Sequence, residues 1–318
     1  MAEWLIEQGI GECRAVLVED GAIVEAVVEL DGVVAAGTVI AAKLIGVGID
    51  GRNAVVRDEK GQEYLLPHAP KGISEGRALS VEVTRSAFPG TEPWKRPLAR
   101  VSELSPFPFL PLVDRLGGRL VPFPAPNDEI EQAGWSDLLE EARNGTVAFA
   151  GGSLRISPTP AMTLIDVDGT VTPEELALRG AVAAARAIRR LGIAGSIGID
   201  LPTMQGKAAR LAQDAAIDAV LPRPFERTGV NGFGFVQIVR PRRGPSLVEL
   251  AQERAGFEAR ALLRLAARSV GAIGLAAHPA VIGAILPGWT EVLARQVGGA
   301  VRLRPVPSLA MSGGHVEP

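Results

Sequence analysis

The sequence has few of the residues that build disulfides, histidine-rich metal sites and aromatic clusters. Its 318 residues include one cysteine, three histidines and 4% aromatic residues. A single cysteine, Cys13, excludes an internal disulfide and a CxxC zinc site, so we expect no zinc. Nothing in this composition requires an oxidising compartment.

Long apolar runs and a basic N-terminal region are also missing. The Ala-rich stretch 269–286 comes closest to a membrane span, but glycines and His278 interrupt it before about 18 uncharged apolar residues accumulate. The opening residues, MAEWLIEQGIGE, carry acids where a signal peptide needs a basic region and an apolar core. We therefore expect a soluble cytoplasmic protein with no membrane partner.

The charge is close to balanced, with 33 basic and 36 acidic residues and a net charge of −3. This excludes a histone-like protein or a polybasic arm. It does not exclude a nucleic-acid partner, because a local basic stripe is enough on an acidic protein. With 47% apolar residues, the length suffices for about two domains with buried cores.

The composition changes along the chain and predicts two regions joined by a linker. Residues 13–30 and 34–87 contain short Val-rich runs separated by Asp-Gly and Lys-Gly turns, which is typical of a small β-barrel or meander. Residues 103–127 are rich in Pro and Gly and indicate a linker or extended surface chain. From residue 128 onward, strand-like and helix-like segments alternate.

The segment 161–204 predicts a strand, a helix and a second strand. A crossover of this length makes the two strands parallel, so their carboxyl ends meet at one edge of the sheet. Asp166 and Asp168 end the first strand and share a face, because they are two residues apart. Asp200 ends the second strand. The sequence therefore predicts a group of carboxylates at this edge.

Clustered carboxylates repel one another unless a cation joins them. Hard oxygen ligands suit Mg²⁺ or Mn²⁺, and such a metal could activate water and stabilise a phosphodiester leaving group. We therefore predict Asp166 and Asp200 as metal ligands and catalytic residues, with Asp168 as a further metal ligand. The alternative, in which Asp168 belongs to a turn with Gly169 and Asp200 is a cap, stays open.

A second interpretation starts from the same residues. The run 166–170, DVDGT, matches the DxDGT nucleophile motif of haloacid-dehalogenase-like phosphatases, in which Asp166 would form an aspartyl-phosphate and Asp168 would be the acid/base. Those enzymes need a later lysine and an acidic pair. Lys207 is the only lysine downstream, and no such pair follows it. This interpretation is therefore the less favoured one.

Three stretches of the sequence carry recognisable motifs: IDVD at 165–168, IDLPTM at 199–204, and FGFVQIVRPR at 233–242 followed by PSL at 245–247. In this order they resemble the ribonuclease E/G family. That family places its first catalytic Asp in I-D-x-N, and residues 165–168 are IDVD. It continues with a helix and I-D-F-x-D-M, where residues 199–204 are IDLPTM. It then has F-G-L-x-E-x-S-R-x-R and P-S-L, where residues 233–242 are FGFVQIVRPR and residues 245–247 are PSL.

The resemblance implies an α/β chain with an N-terminal RNase-H-like segment, an inserted OB-type β-barrel and then an α/β nuclease domain of DNase-I-like type. The RNase-H-like segment would occupy 1–102. The barrel would be inserted in it at about 37–86, and residues 95–102 would be the strand that returns the chain to the RNase-H-like sheet. Residues 103–127 would be the linker. Residues 128–318 would form the nuclease domain, closed by a C-terminal helical or small-domain region.

The resemblance also implies a metal-dependent endoribonuclease that cleaves single-stranded RNA by hydrolysis, leaves a 5′-phosphate and serves RNA processing. Asp166 and Asp200 would be its catalytic residues. The densest basic cluster would hold phosphates near the acidic site, and two further residues would contact RNA. These RNA-binding candidates are Arg240, Arg242 and Arg243 in the cluster, then Arg227 and Lys43.

Several positions depart from the family pattern. Asp168 replaces the family's Asn, and Thr203 replaces its second acid in the I-D-F-x-D motif. Val55 and Leu65 replace barrel aromatics, and each lost stacking contact is worth about 1–3 kcal/mol per base. Residues 103–127 cannot form the family's 5′-monophosphate sensor. The zinc-link cysteines are missing, so no zinc-bridged dimer is expected and the oligomeric state stays open.

These departures leave a non-catalytic hypothesis beside the nuclease. In it, the chain is a degenerate relative that binds RNA without cleaving it. The changes at Asp168, Thr203 and the barrel motivate this hypothesis. Retention of both Asp166 and Asp200 favours the nuclease, because two idle carboxylates would destabilise the fold through repulsion.

Overall fold

The computed structural model describes residues 2–88, 95–125 and 127–318. Residues 89–94 of the predicted N-terminal segment and Pro126 of the predicted linker lie outside the described residues. Within the described ranges the chain has a mixed α/β architecture, with three sheets and a closed five-stranded barrel. The predicted α/β class with a small barrel is confirmed at this level.

The first sheet is built mainly from the N-terminal residues. Its strands are β1 (Glu3–Gln8), β2 (Glu12–Glu19) and β3 (Ala22–Leu30), which pair antiparallel in the order β3-β2-β1. The turn at Asp20-Gly21 is confirmed, since both residues have positive φ, 51° and 79°, as tight hairpin turns require. Strand β1 lies in a segment for which no strand was predicted.

The barrel is closed by a strand that the sequence interpretation placed elsewhere. Its strands are β4 (Val39–Val47), β5 (Ala54–Asp58), β6 (Glu63–Leu66), β7 (Ala78–Arg85) and β8 (Leu98–Val101), and a 3₁₀ turn covers Ile49–Gly51. The prediction that 95–102 returns to the first sheet is wrong, because β8 pairs with β6 and β7. The edges of these two strands would otherwise remain unpaired.

The segment predicted as a linker is ordered structure. It contains helix α1 (Leu112–Leu116) and strand β9 (Arg119–Val121). Strand β9 pairs parallel with β1 and thus returns the chain to the first sheet. Leu112 and Val121 are both 4% exposed, so burial of apolar side chains fixes this segment.

A six-stranded sheet forms the centre of the second region. Its strands are β10 (Thr146–Phe149), β11 (Gly152–Pro158), β12 (Thr163–Gly169), β13 (Gly195–Asp200), β14 (Glu226–Arg227) and β15 (Phe235–Arg240). They lie in the order β10-β11-β12-β13-β15-β14. The helices of this region are α2 (Glu129–Gln132), α3 (Trp135–Asn144), α4 (Pro173–Arg190), α5 (Lys207–Val220), α6 (Leu247–Leu250) and α7 (Arg254–Ala266).

Helix α4 packs between the six-stranded sheet and strand β3 of the first sheet. Its inward residues are small: Ala181, Ala184 and Ala185 are fully buried. A Cβ at Gly180 would lie 2.4 Å from Val167 Cγ1 of β12, so only glycine permits this close approach. The helix therefore covers one face of the six-stranded sheet and joins it to the first sheet.

The C-terminal region forms a small three-stranded sheet. It contains β16 (Ile273–Ala277), α8 (Pro279–Ala284), α9 (Pro287–Val297), β17 (Val301–Pro305), a 3₁₀ turn (Met311–Gly313) and β18 (His315–Glu317). Strand β18, which contains His315, pairs antiparallel with β16. Helices α8 and α9 are separate, and Pro287 begins the second one.

Candidate functional site

The predicted parallel strands and their carboxylates are confirmed as a structural arrangement. Strands β12 and β13 pair parallel, and Asp166 is the direct neighbour of Asp200 in the register. Neighbouring strands are about 5 Å apart, so the two side chains start at that separation. The crossover through α4 brings these residues together across 34 positions of sequence.

The three carboxylates project from the face of the sheet opposite α4. Side chains alternate along a strand, and Ile165, Val167 and Ile199 are buried on the helix side. Asp166, Asp168 and Asp200 therefore point to the other face, where all three are exposed. We call this uncovered side of the six-stranded sheet the open face.

Within the described ranges, none of the three carboxylates has a side-chain hydrogen bond or an ion pair. No group of three His, Cys, Asp or Glu side chains in that part of the chain is arranged to hold a metal ion. Two neighbouring carboxylates still match Mg²⁺, which takes one or two protein carboxylates and completes its shell with water and substrate oxygens. The donor set therefore fits a magnesium ion shared with a phosphate-bearing substrate.

Arg155 completes the row of charges across the open face. It lies on β11 directly opposite Asp166, is exposed, and makes no ion pair among the described residues. Arg155 is not among the site residues predicted from the sequence. The signal was available: β11 and β12 are joined by only four residues, 159–162, and a hairpin of that length places Arg155 beside Asp166.

Two loops meet beside Asp200 at this end of the sheet. Thr203 Oγ1 donates to the carbonyl oxygen of Phe233 over 2.9 Å, and the Leu201 amide donates to the Gly234 carbonyl over 3.2 Å. Gly234 has φ of 89°, and a Cβ there would lie 2.0 Å from Leu201 O, so glycine is required. Thr203 therefore joins the two loops.

The prediction that Arg240 lies near the acidic site is wrong. Strand β15 runs antiparallel to β13, so Phe235 pairs with Asp200 whereas Arg240 pairs with Gly195. This places Arg240 about 17 Å further along the sheet. Arg240 also lies on the helix side, where its Nη1 donates to the Ile193 carbonyl over 2.9 Å and burial lowers its pKa.

Arg242 and Arg243 lie beyond the same end of β15. Arg242 forms an ion pair with Glu249, and its guanidinium lies 4.1 Å from the centre of the Phe88 ring. The guanidinium is therefore engaged within the fold. Arg243 is exposed, and its carbonyl accepts from the amide of Ser86 over 2.9 Å. These contacts join the end of β15 to the chain that leaves β7, away from the carboxylates.

Arg227 is also engaged within the fold. Its guanidinium donates to Asp214 over 2.6 Å and to Asp218 over 2.7 and 2.8 Å. The hydrogen bonds from Arg227 hold the pKa of Asp218 below its usual value. These contacts fix α5 against β14 and engage the guanidinium that the sequence predicts as an RNA contact.

The barrel positions considered in the sequence analysis differ in exposure. Lys43, predicted as an RNA contact, is exposed on β4 and has no side-chain partner among the described residues. Val55 and Leu65 are cross-strand neighbours and half-buried, so a small apolar patch occupies the positions expected for aromatics. Tyr64 is 1% exposed and donates to Asp58 over 3.0 Å, so it belongs to the core.

No protein-family model matches the chain, and a comparison with curated proteins found no match. Among the described residues, no helix is both long enough and apolar enough to cross a membrane.

Proposed function

We propose that this protein is a metal-dependent endoribonuclease that cleaves single-stranded RNA, and that it is a short relative of the ribonuclease E/G family. The observation that carries the proposal is the in-register pair Asp166 and Asp200, exposed and unpaired on adjacent parallel strands. Carboxylates left without partners at such a sheet edge are typical of a site completed by a ligand.

In this proposal, the carboxylates of the open face bind the cation and its arginine binds the substrate. Asp166 and Asp200 would hold Mg²⁺ or Mn²⁺, and Asp168 would face the same cation from two positions along β12. When bound, the ion would supply an activated water and stabilise charge on the phosphate. Arg155 would orient the phosphate, because a guanidinium binds phosphate oxygens in a bidentate manner.

The order of elements supports the finer fold proposal. Strands β1–β3 form an antiparallel sheet, the barrel follows, and β9 then returns parallel to β1. We propose that this is an RNase-H-like segment interrupted by an inserted OB-type barrel, and that the six-stranded sheet is the core of a DNase-I-like nuclease domain. Lys43 on the barrel would contact RNA at a distance from the carboxylates.

The test is cleavage of a 5′-labelled, A/U-rich single-stranded RNA with Mg²⁺ or Mn²⁺. Asp166→Asn and Asp200→Asn are expected to abolish internal cuts while RNA binding persists. Asp137→Asn is the matched control, since Asp137 is an exposed carboxylate on α3 and makes no ion pair among the described residues. Cuts that survive both site variants would refute the assignment.

One observation favours the hypothesis of RNA binding without cleavage. The acid that the resemblance expects at position 203 is a threonine, and its hydroxyl is used by the Phe233 carbonyl. RNA that binds measurably but stays intact with both metals would select this hypothesis. Release of phosphate from a small phosphate ester, lost in Asp166→Asn, with RNA left intact, would select the phosphatase.

A further inference from the structure

Phe233 is the most exposed aromatic side chain in the described part of the chain, with 82% of its surface accessible. The other aromatic rings described there are at least half-covered, and Phe107 follows at 41%. A ring in water contributes nothing to the core, and exposed aromatic side chains are typical of binding surfaces.

The loop that carries Phe233 is fixed by hydrogen bonds on both sides of this residue. Asn231 Oδ1 accepts from the Phe233 amide over 2.9 Å and from the Phe235 amide over 3.0 Å. The Phe233 carbonyl accepts from Thr203 Oγ1, and Gly234 packs directly on Leu201 O. The backbone is therefore held in place while the ring remains free, so little backbone entropy is lost when a partner binds.

The position of Phe233 relates it to the carboxylates. Phe235 is the cross-strand neighbour of Asp200, and Phe233 lies two residues before it, about 7 Å along the chain. On the other side of Asp200, the Phe235 ring lies over Gly198, where a Cβ would be only 2.6 Å from the ring. Asp166 and Asp200 thus have the exposed ring of Phe233 at the same edge of the sheet and the apolar ring of Phe235 close by.

We propose that Phe233 is a base-stacking residue, which holds a nucleobase of single-stranded RNA next to the phosphate that faces Asp166 and Asp200. This inference rests on the proposed function. Every base has a flat face, so stacking on an exposed ring holds single strands without strong sequence preference and excludes a paired duplex base. Stacking on Phe233 also supplies RNA affinity that the barrel lacks, since Val55 and Leu65 offer no aromatic ring there.

The binding test uses RNA oligonucleotides of one sequence, each with a single abasic residue at a different position. Dissociation constants are measured by fluorescence anisotropy with Mg²⁺, in an Asp166→Asn background so that the RNA stays intact. Phe233→Ala is expected to weaken binding of the unmodified RNA by about 5- to 150-fold, and Phe233→Trp is expected to restore it. Val270→Ala is the control, because Val270 is 93% exposed in the loop before β16.

The abasic series identifies stacking itself. One abasic position is expected to weaken binding to the parent by the same factor and to leave binding to Phe233→Ala unchanged. Equal penalties in both proteins, or unchanged affinity of Phe233→Ala, would overturn the inference. A change of mass in light scattering on Phe233→Ala, with RNA affinity unchanged, would assign the ring to contact between copies and also overturn it.

The two proposals fail in different ways. If the protein with an intact site never cuts RNA but the Phe233-dependent abasic penalty is present, the nuclease is refuted and the stacking residue is retained. If RNA is cut and Phe233→Ala leaves kcat/KM unchanged, stacking alone is refuted.

Discussion

Replacing Asp200 by asparagine is expected to stabilise the metal-free protein, although it should abolish cleavage. Two like unit charges about 5 Å apart in water repel by about 0.8 kcal/mol, which applies to Asp200 and Asp166. Asp168, on the diagonal at about 8 Å, adds about 0.5 kcal/mol. Arg155, two strands away at about 10 Å, offsets about 0.4 kcal/mol. The substitution should therefore gain about 1 kcal/mol.

Mg²⁺ should make the original protein more stable than Asp200→Asn. An ion bound only to the folded protein stabilises it by about 1.4 kcal/mol at ten times its Kd. The original protein should gain this in Mg²⁺, whereas Asp200→Asn, which has lost a ligand, should gain little. The crossing of the two stabilities reports the metal site without any activity measurement.

The assay is thermal unfolding at about 0.01 M ionic strength, where the screening length is about 30 Å, in EDTA and in a Mg²⁺ series. Asp137→Asn is the control with the opposite sign, because Asp137 lies in the first turn of α3 and its charge favours the helix N-terminus. Two results would refute the reasoning: Asp200→Asn less stable than the original protein in EDTA, or an equal gain from Mg²⁺ in both.

Three further predictions concern other parts of the molecule. Glu12→Gln should lower the free energy of unfolding in urea by about 3–5 kcal/mol, because Glu12 is the buried partner of Arg260 and Arg264. Glu82→Gln, at an exposed ion pair, should lower it by at most about 1 kcal/mol. Equal losses in the two variants would contradict this prediction. Burial raises the pKa of the Cys13 thiol to about 11, so alkylation of Cys13 at pH 8 should be roughly 100-fold slower in the folded than in the unfolded protein. The free energy of unfolding should also fall between pH 9 and 11, because the thiol of the unfolded chain loses its proton first. Finally, 5′-hydroxyl and 5′-monophosphate forms of one oligonucleotide should be cleaved alike, and a large preference for the monophosphate would be inconsistent with the missing sensor.

The carboxylate arrangement was predictable because it follows from local rules. The helix between two apolar strands makes the strands parallel, and the two-residue period along a strand sets the face. These rules place Asp166, Asp168 and Asp200 together without knowledge of any other contact. The start of α4 is also set locally, by the cap at Thr172, whose side chain accepts from the Glu175 amide.

The arginines were misplaced because their position depends on pairing between distant segments. Arg240 was predicted near the acidic site as part of the densest basic cluster, but the antiparallel direction of β15 places it at the other end of the strand. The partners of Arg227 and Arg242 are acids on α5 and α6, and no local pattern reveals such tertiary pairs. Similarly, β8 could be assigned to the barrel only from its pairing with β6 and β7.

The two faces of the six-stranded sheet carry different demands. The helix side supplies stability, because Ile165, Val167 and Ile199 are buried there. The open face keeps Asp166, Asp200 and Arg155 exposed and without ion pairs among the described residues, an arrangement that costs stability through carboxylate repulsion. Since these three residues alternate with buried ones along their strands, substituting them removes no core contact. Loss of activity there, with stability kept or raised, therefore measures the site directly, whereas loss of both would show that the side chain belongs to the fold.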